Sequence, residues 1–145
     1  MNKITIMFLI ILVIAFLFSN YIDIYKDYTV SEVIDGDTFK TTDGKDVRLI
    51  GINAPEVGEK CYQEAKDGLK ELIYRKEIRL ESDVGDKDTY GRILRYAYID
   101  KLFVNADMIR LGLARFEEVQ PNTKYSSLFS DLEEKARKAG RCIWE

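Results

Sequence analysis

Two Asp-Gly turns constrain the fold of this chain more than any other feature. Asp35-Gly36-Asp37 and Asp43-Gly44 lie between short apolar runs at residues 29–34, 38–41 and 47–52, and the last run ends at Asn53-Ala54-Pro55. Asp-Gly between such runs signals a hairpin, because glycine takes the positive φ that a tight turn needs. A meander of three antiparallel strands is expected. Further β-like stretches cover 77–81 and 93–99, the second following Gly91 at the end of a polar loop.

Helical periodicity appears between and after these strands. Ala65, Leu69, Leu72 and Ile73 share one face of residues 63–75. Residues 104–111 form a short helix closed by Gly112, and 127–139 an amphipathic helix stopped by Gly140. Five strands interrupted by a helix, with helices at the end, predict an α+β fold. The architecture that fits is an OB-fold five-stranded β-barrel with about three helices, preceded by an N-terminal hydrophobic helix.

Residues 4–18 of that N-terminal segment are apolar except for Thr5, with Lys3 before them. Because the run has no polar face, it does not read as a buried core helix of the domain. It suits a membrane anchor or the core of a signal peptide. The residues that follow, Ser19 and Asn20, make a poor cleavage site, which favours an uncleaved anchor. The expected division is an anchor or signal segment at 1–22, a linker at 23–27 and a domain at 28–145. The expected location is the cell membrane, single-pass, with the domain outside the cytoplasm, the alternative being secretion. In an oxidising compartment Cys61 and Cys142 could pair or remain buried thiols, and both readings stay open.

Charge and residue inventory narrow the chemistry. The chain carries 22 basic and 25 acidic residues, a net charge of −3, so any polyanion contact must come from a local basic cluster. It has no histidine, which excludes Ser-His and Cys-His catalysis. With two cysteines and no histidine, a structural zinc site lacks its usual ligands. Hard cations held by oxygen remain.

Four stretches stand out together. They are Ile34-Asp35-Gly36-Asp37-Thr38, then 48–56 from Arg48 through Asn53-Ala54-Pro55-Glu56, then Asp88-Thr89-Tyr90-Gly91-Arg92, and the C-terminal Gly140-Arg141-Cys142-Ile143-Trp144. In order and spacing they resemble the thermonuclease (staphylococcal-nuclease-like) family across nearly the whole domain. The resemblance implies calcium-dependent hydrolysis of nucleic-acid phosphodiesters, DNA or RNA or both, leaving 3′-phosphates. It assigns the reaction to Arg48, Glu56 and Arg92, and calcium to Asp37, Asn53 and the carbonyl of Ala54, with magnesium or another hard divalent cation as a substitute. Tyr90 matches a tyrosine that contacts a nucleotide phosphate. A monomer is expected.

The residue chemistry agrees with those roles. Glu56 is able to prepare a water, each arginine to fork two donors onto phosphate oxygens, and Asp37 to offer a hard anionic oxygen. Retention of Arg48, Glu56 and Arg92 argues for the enzyme, while two departures keep an alternative open, a weak or inactive module that only binds nucleic acid or protein. Asn53 stands where the best-known members have Asp, so a ligand charge is lost. Glu117 and Glu118 stand where nucleotide-contacting tyrosines lie, and acids oppose a polyanion.

Overall fold

The computed structural model describes residues 2–145, excluding the side chains of residues 18–26. Helix α1 (Lys3–Ile24) leads directly into β1 (Tyr25–Val33). The linker expected at 23–27 is therefore taken up by the end of the helix and the start of the strand. The described side chains of α1 run to Leu17, and its large apolar residues from Ile4 to Leu17 are exposed. The last residues of the expected anchor, 18–22, lie outside the described side chains. Among the described residues, no helix is long and apolar enough to cross a membrane.

The strands turn where the Asp-Gly signals lie, but only Gly44 takes the expected positive φ, 82°. Gly36 does not, and is required instead by its close packing against Ala54 and Ala65. Strand β1 pairs antiparallel with β2 (Thr38–Thr41), which pairs antiparallel with β3 (Asp46–Leu49). On its other side β1 pairs with β5 (Glu77–Glu81), and β5 with β6 (Ile93–Ile99). Parallel pairing of β3 with β6 closes the circle, matching Arg48 with Leu94. Closure removes exposed edges. A bulge in β1 between Val30 and Glu32 lets the strand bend into both neighbours.

Alternation along the strands fills the interior with Phe39, Val47, Leu49, Ile78 and Leu80. Helix α2 (Tyr62–Ile73) adds Ala65, Leu69 and Ile73 to this core. Each fully buried large apolar side chain contributes about 2 kcal/mol. Short β7 (Leu102–Phe103), α3 (Val104–Arg110), β8 (Arg115–Phe116) and α4 (Ser126–Lys138) follow, then a 3-10 turn at Cys142–Trp144.

The run expected as one strand over 47–52 is broken. Strand β3 ends at Leu49, and β4 (Ile52–Asn53) pairs instead with β8. Gly51 makes the break with φ of 76°, and a Cβ there would come within 2.6 Å of the Phe129 ring. Only glycine fits both the backbone and the packing. Buried Asn105 holds the turn, its Nδ2 donating to the Ile50 carbonyl at 2.9 Å while its Oδ1 accepts from Ala97 N–H at 2.9 Å.

Cys61 and Cys142 are joined as a disulfide, with Cα atoms 6.0 Å apart across a separation of 81 residues. It ties the start of α2 to the C-terminus. Loop-closure entropy for such a separation is worth about 4 kcal/mol.

Candidate active site

The site is assembled at one end of the barrel, where β2 and β3 begin and end. Thr38 and Arg48 are cross-strand partners, so their side chains leave the sheet together. Asp37 precedes Thr38 and is only 6% exposed. Its Oδ1 lies 3.1 Å from Arg48 Nε and accepts from Thr38 Oγ1 at 3.0 Å, while its Oδ2 accepts from Ala54 N–H at 2.7 Å. Gly36 permits this approach, since a Cβ there would sit 2.6 Å from the Ala54 Cβ.

Burial pushes the Asp37 carboxyl up to about 6, against the opposing pull of the Arg48 guanidinium and the Ala54 N–H. A carboxylate this enclosed gains from a further cation.

Arg48 is nearly spent within the fold. Its Nη1 donates to the carbonyls of Leu49 and Ile52, both at 2.6 Å. Nη2 faces outward, 3.5 Å from Asn53 Oδ1 and 3.9 Å from Glu117 Oε2.

Arg92 arrives from a different element, the turn before β6. Asp88 Oδ1 accepts from the N–H groups of Tyr90 and Arg92, both at 3.0 Å, and its Oδ2 lies 2.7 Å from Arg92 Nε. Gly91, with φ of 85°, closes the turn. Burial works to raise the Asp88 carboxyl, but its bonds with Arg92 prevail and hold it below the ordinary carboxylate value. Arg92 Nη1 donates to Thr38 Oγ1 at 3.2 Å. One hydroxyl thus links Asp37, and through it Arg48, to Arg92.

Arg48, Arg92, Lys87 and Glu117 line an open cavity of about 420 Å³. Glu56 lies beside this network in sequence, two residues after Ala54. Its N–H donates to Glu59 Oε2 at 2.8 Å, and its exposed carboxylate has no hydrogen bond or ion pair among the described residues. No hydrogen bond or ion pair joins it to Arg48 or Arg92. Tyr90 is 84% exposed and lies outside the Arg48 cavity, with the Arg92 guanidinium 5.4 Å from its ring centre.

Among the described residues, no group of three or more Asp, Glu, His or Cys side chains could hold a metal. Asp37 Oδ2 receives the Ala54 N–H, and Asn53 Oδ1 lies 3.5 Å from Arg48 Nη2, so the oxygens that residues 53 and 54 can offer alongside this carboxylate are an amide and a carbonyl. This set is hard, with one formal negative charge. It fits calcium or magnesium held weakly, and suits zinc poorly.

Residue type does not single out two contributors: Thr38, which bridges the two halves from within its motif, and Asn105, which holds the turn that follows Arg48 and carries no sequence signal. Asp88, four residues before Arg92 in the same motif, pairs with it as that spacing allows.

The staphylococcal nuclease homologue family model matches residues 46–145. Asp37 lies outside that stretch. Over 82% of its length the chain is 35% identical to a thermonuclease of Staphylococcus hyicus, covering 76% of that protein. Over 83% it is 36% identical to a thermonuclease of Staphylococcus intermedius, covering 77%. Over 80% it is 38% identical to endonuclease YncB of Bacillus subtilis, of which it spans only 60%.

Proposed function

This chain belongs to the staphylococcal nuclease homologue family, and on that premise we propose that it is a divalent-cation-dependent endonuclease hydrolysing DNA or RNA. One observation carries the reading: Asp37, Arg48 and Arg92 are linked through the Thr38 hydroxyl at the edge of an open cavity. Attack on a phosphodiester builds charge on an anionic group, so fixed cations aimed at it lower the barrier. Arg48 Nη2 and the unused donors of Arg92 supply them. Glu56, with an uncommitted carboxylate, is the general base that prepares water. Asp37, Asn53 and the Ala54 carbonyl would hold calcium, or magnesium in its place. When bound, the cation supplies Lewis-acid polarisation of a phosphate oxygen.

A second reading, a module that binds without cleaving, is favoured by Glu117 beside Arg48 and by the neutral Asn53. The full chain in detergent, incubated with single- and double-stranded DNA and with RNA, separates the two. Cleavage with calcium that disappears in chelator and in Glu56→Gln supports the nuclease. Binding without cleavage by the unaltered chain supports the module.

We propose a monomer held at the cell membrane by its N-terminus, with its barrel outside the cytoplasm; the exposed apolar side chains of α1 support the membrane contact and the Cys61–Cys142 pair an oxidising compartment. Membrane fractionation, with mass measurement of the mature chain, decides between anchor and secretion.

A further inference from the structure

The segment from Asp88 to Arg92 is a ridge with a cavity on each side. Thr89 and Arg92 line the first cavity, with Arg48. Tyr90 and Gly91 line a second, of about 390 Å³, together with Tyr28, Lys45, Ile93 and Arg95. Lys87 lines both. We infer that this second cavity is a subsite for the single-stranded nucleic-acid segment flanking the scissile phosphate, which crosses the ridge at Lys87. This rests on the nuclease reading of the first cavity.

The chemistry suits a strand. In a chain of net charge −3, three cations, Lys45, Lys87 and Arg95, share this cavity with two carboxylates, Asp46 and Asp86. Asp46 stands 3.5 Å from Lys40 and Asp86 holds Arg95, which leaves the two lysines to meet a phosphate. Arg95 is committed, its Nη2 lying 2.7 Å from Asp86 Oδ1 and its Nη1 donating to the Leu94 carbonyl at 2.7 Å. It supplies wall and field. Lys45 and Lys87 supply the grip. Lys87 has no ion-pair partner among the described residues. Lys45 pairs with Asp43 at the surface, both side chains around two-fifths exposed, and such a pair is worth little. A phosphate could replace Asp43 at small cost.

Two aromatic rings complete the groove. Lys45 Nζ stands 4.8 Å from the centre of the Tyr28 ring. Tyr90, 84% exposed, has the Arg92 guanidinium 5.4 Å from its ring centre, and the Asp88 side chain pins its backbone N–H. A tyrosine anchored this way, with most of its surface in water, offers a platform for a base. Stacking on exposed aromatics, interleaved with lysines, is how proteins bind single strands without reading sequence. Tyr90 therefore serves a nucleotide beyond the one that Arg48 and Arg92 grip, which accounts for its absence from their cavity.

The test compares Lys45→Glu with the unaltered full chain on a thymidine dinucleotide and on an oligothymidylate of about 12 nucleotides. The expected result is a KM about tenfold higher for the oligonucleotide, with kcat unchanged and dinucleotide cleavage unaffected. In chelator, fluorescence anisotropy on the same oligonucleotide should show matching weakening and a salt dependence shallower by about one phosphate contact. The milder Lys45→Gln should fall between. Equal changes on both substrates, or no change on either, would overturn the subsite. Should the unaltered chain cleave neither substrate, the nuclease reading fails and anisotropy alone judges the groove: unchanged affinity in Lys45→Glu rejects it, and weakened affinity sustains it.

Discussion

Arg48 and Arg92 reach one site from two kinds of structure. Arg48 stands on a barrel strand with its side chain 14% exposed, and its acidic partner Asp37 comes from another strand's approach. Arg92 stands on a turn, 29% exposed, and its partner Asp88 lies four residues earlier in the same turn. Burial drives the first carboxyl up, while hydrogen bonds hold the second down. The first is a buried ion pair whose carboxyl is only partly compensated, the place where a cation is proposed to bind. The second is a self-contained local device that aims one guanidinium. The buried pair should therefore govern both stability and activity, and the turn pair activity alone.

Removing each arginine gives the sharpest contrast. Arg92→Ala should lower kcat about 10³-fold, some 4 kcal/mol of barrier, while urea unfolding shifts by less than about 1 kcal/mol. Arg48→Ala should abolish cleavage and also lower unfolding free energy by about 3 kcal/mol, because Asp37 loses its buried partner. Equal stability losses in the two variants would erase the distinction.

Acidity probes the same difference. The folded carboxyl of Asp37, at about 6 against an ordinary 3.8, binds its proton more tightly than in the unfolded chain. Its contribution is present below about pH 4 and is lost as pH rises through about 6, a cost of about 3 kcal/mol without cation. Asp88 runs the other way, stabilising above its ordinary value and losing that as pH falls through its lowered folded value. Denaturant titrations in chelator should show the Asp37 trend, and Asp37→Asn should flatten it. Calcium should raise the melting midpoint more at pH 7 than at pH 5, since a protonated Asp37 is a poor ligand.

The smallest expected effect concerns Glu117, 3.9 Å from the outward nitrogen of Arg48. A phosphate must compete with that carboxylate. Glu117→Gln should lower KM about threefold and leave kcat unchanged, read from steady-state cleavage of single-stranded DNA. An unchanged KM would mean Glu117 swings clear at no cost.

Much of the fold could be read from local pattern. Strands β5 and β6 run over the expected residues, and the helices start and stop within two residues of expectation. Alternation, 3.6-residue periodicity and glycine stops act within a few positions, so the chain displays them openly. Motif order also singled out Asp37, Arg48 and Arg92; the β2–β3 hairpin at Asp43-Gly44 brings the first two together, whereas Arg92 reaches them only through the long-range parallel pairing of β3 with β6.

What local pattern could not carry was anything set by a distant partner. The break at Gly51 depends on the Phe129 ring, and Ile50 is held by Asn105. The union of Cys61 with Cys142 across 81 residues, the turning of Glu117 toward Arg48, and the placing of Tyr90 across the ridge from the arginines are each set by the packing of segments far apart in the chain. Hydrophobic periodicity and turn chemistry are encoded by neighbours in the chain, whereas the direction of a side chain at a closed barrel's rim is decided by whichever remote segment packs beside it.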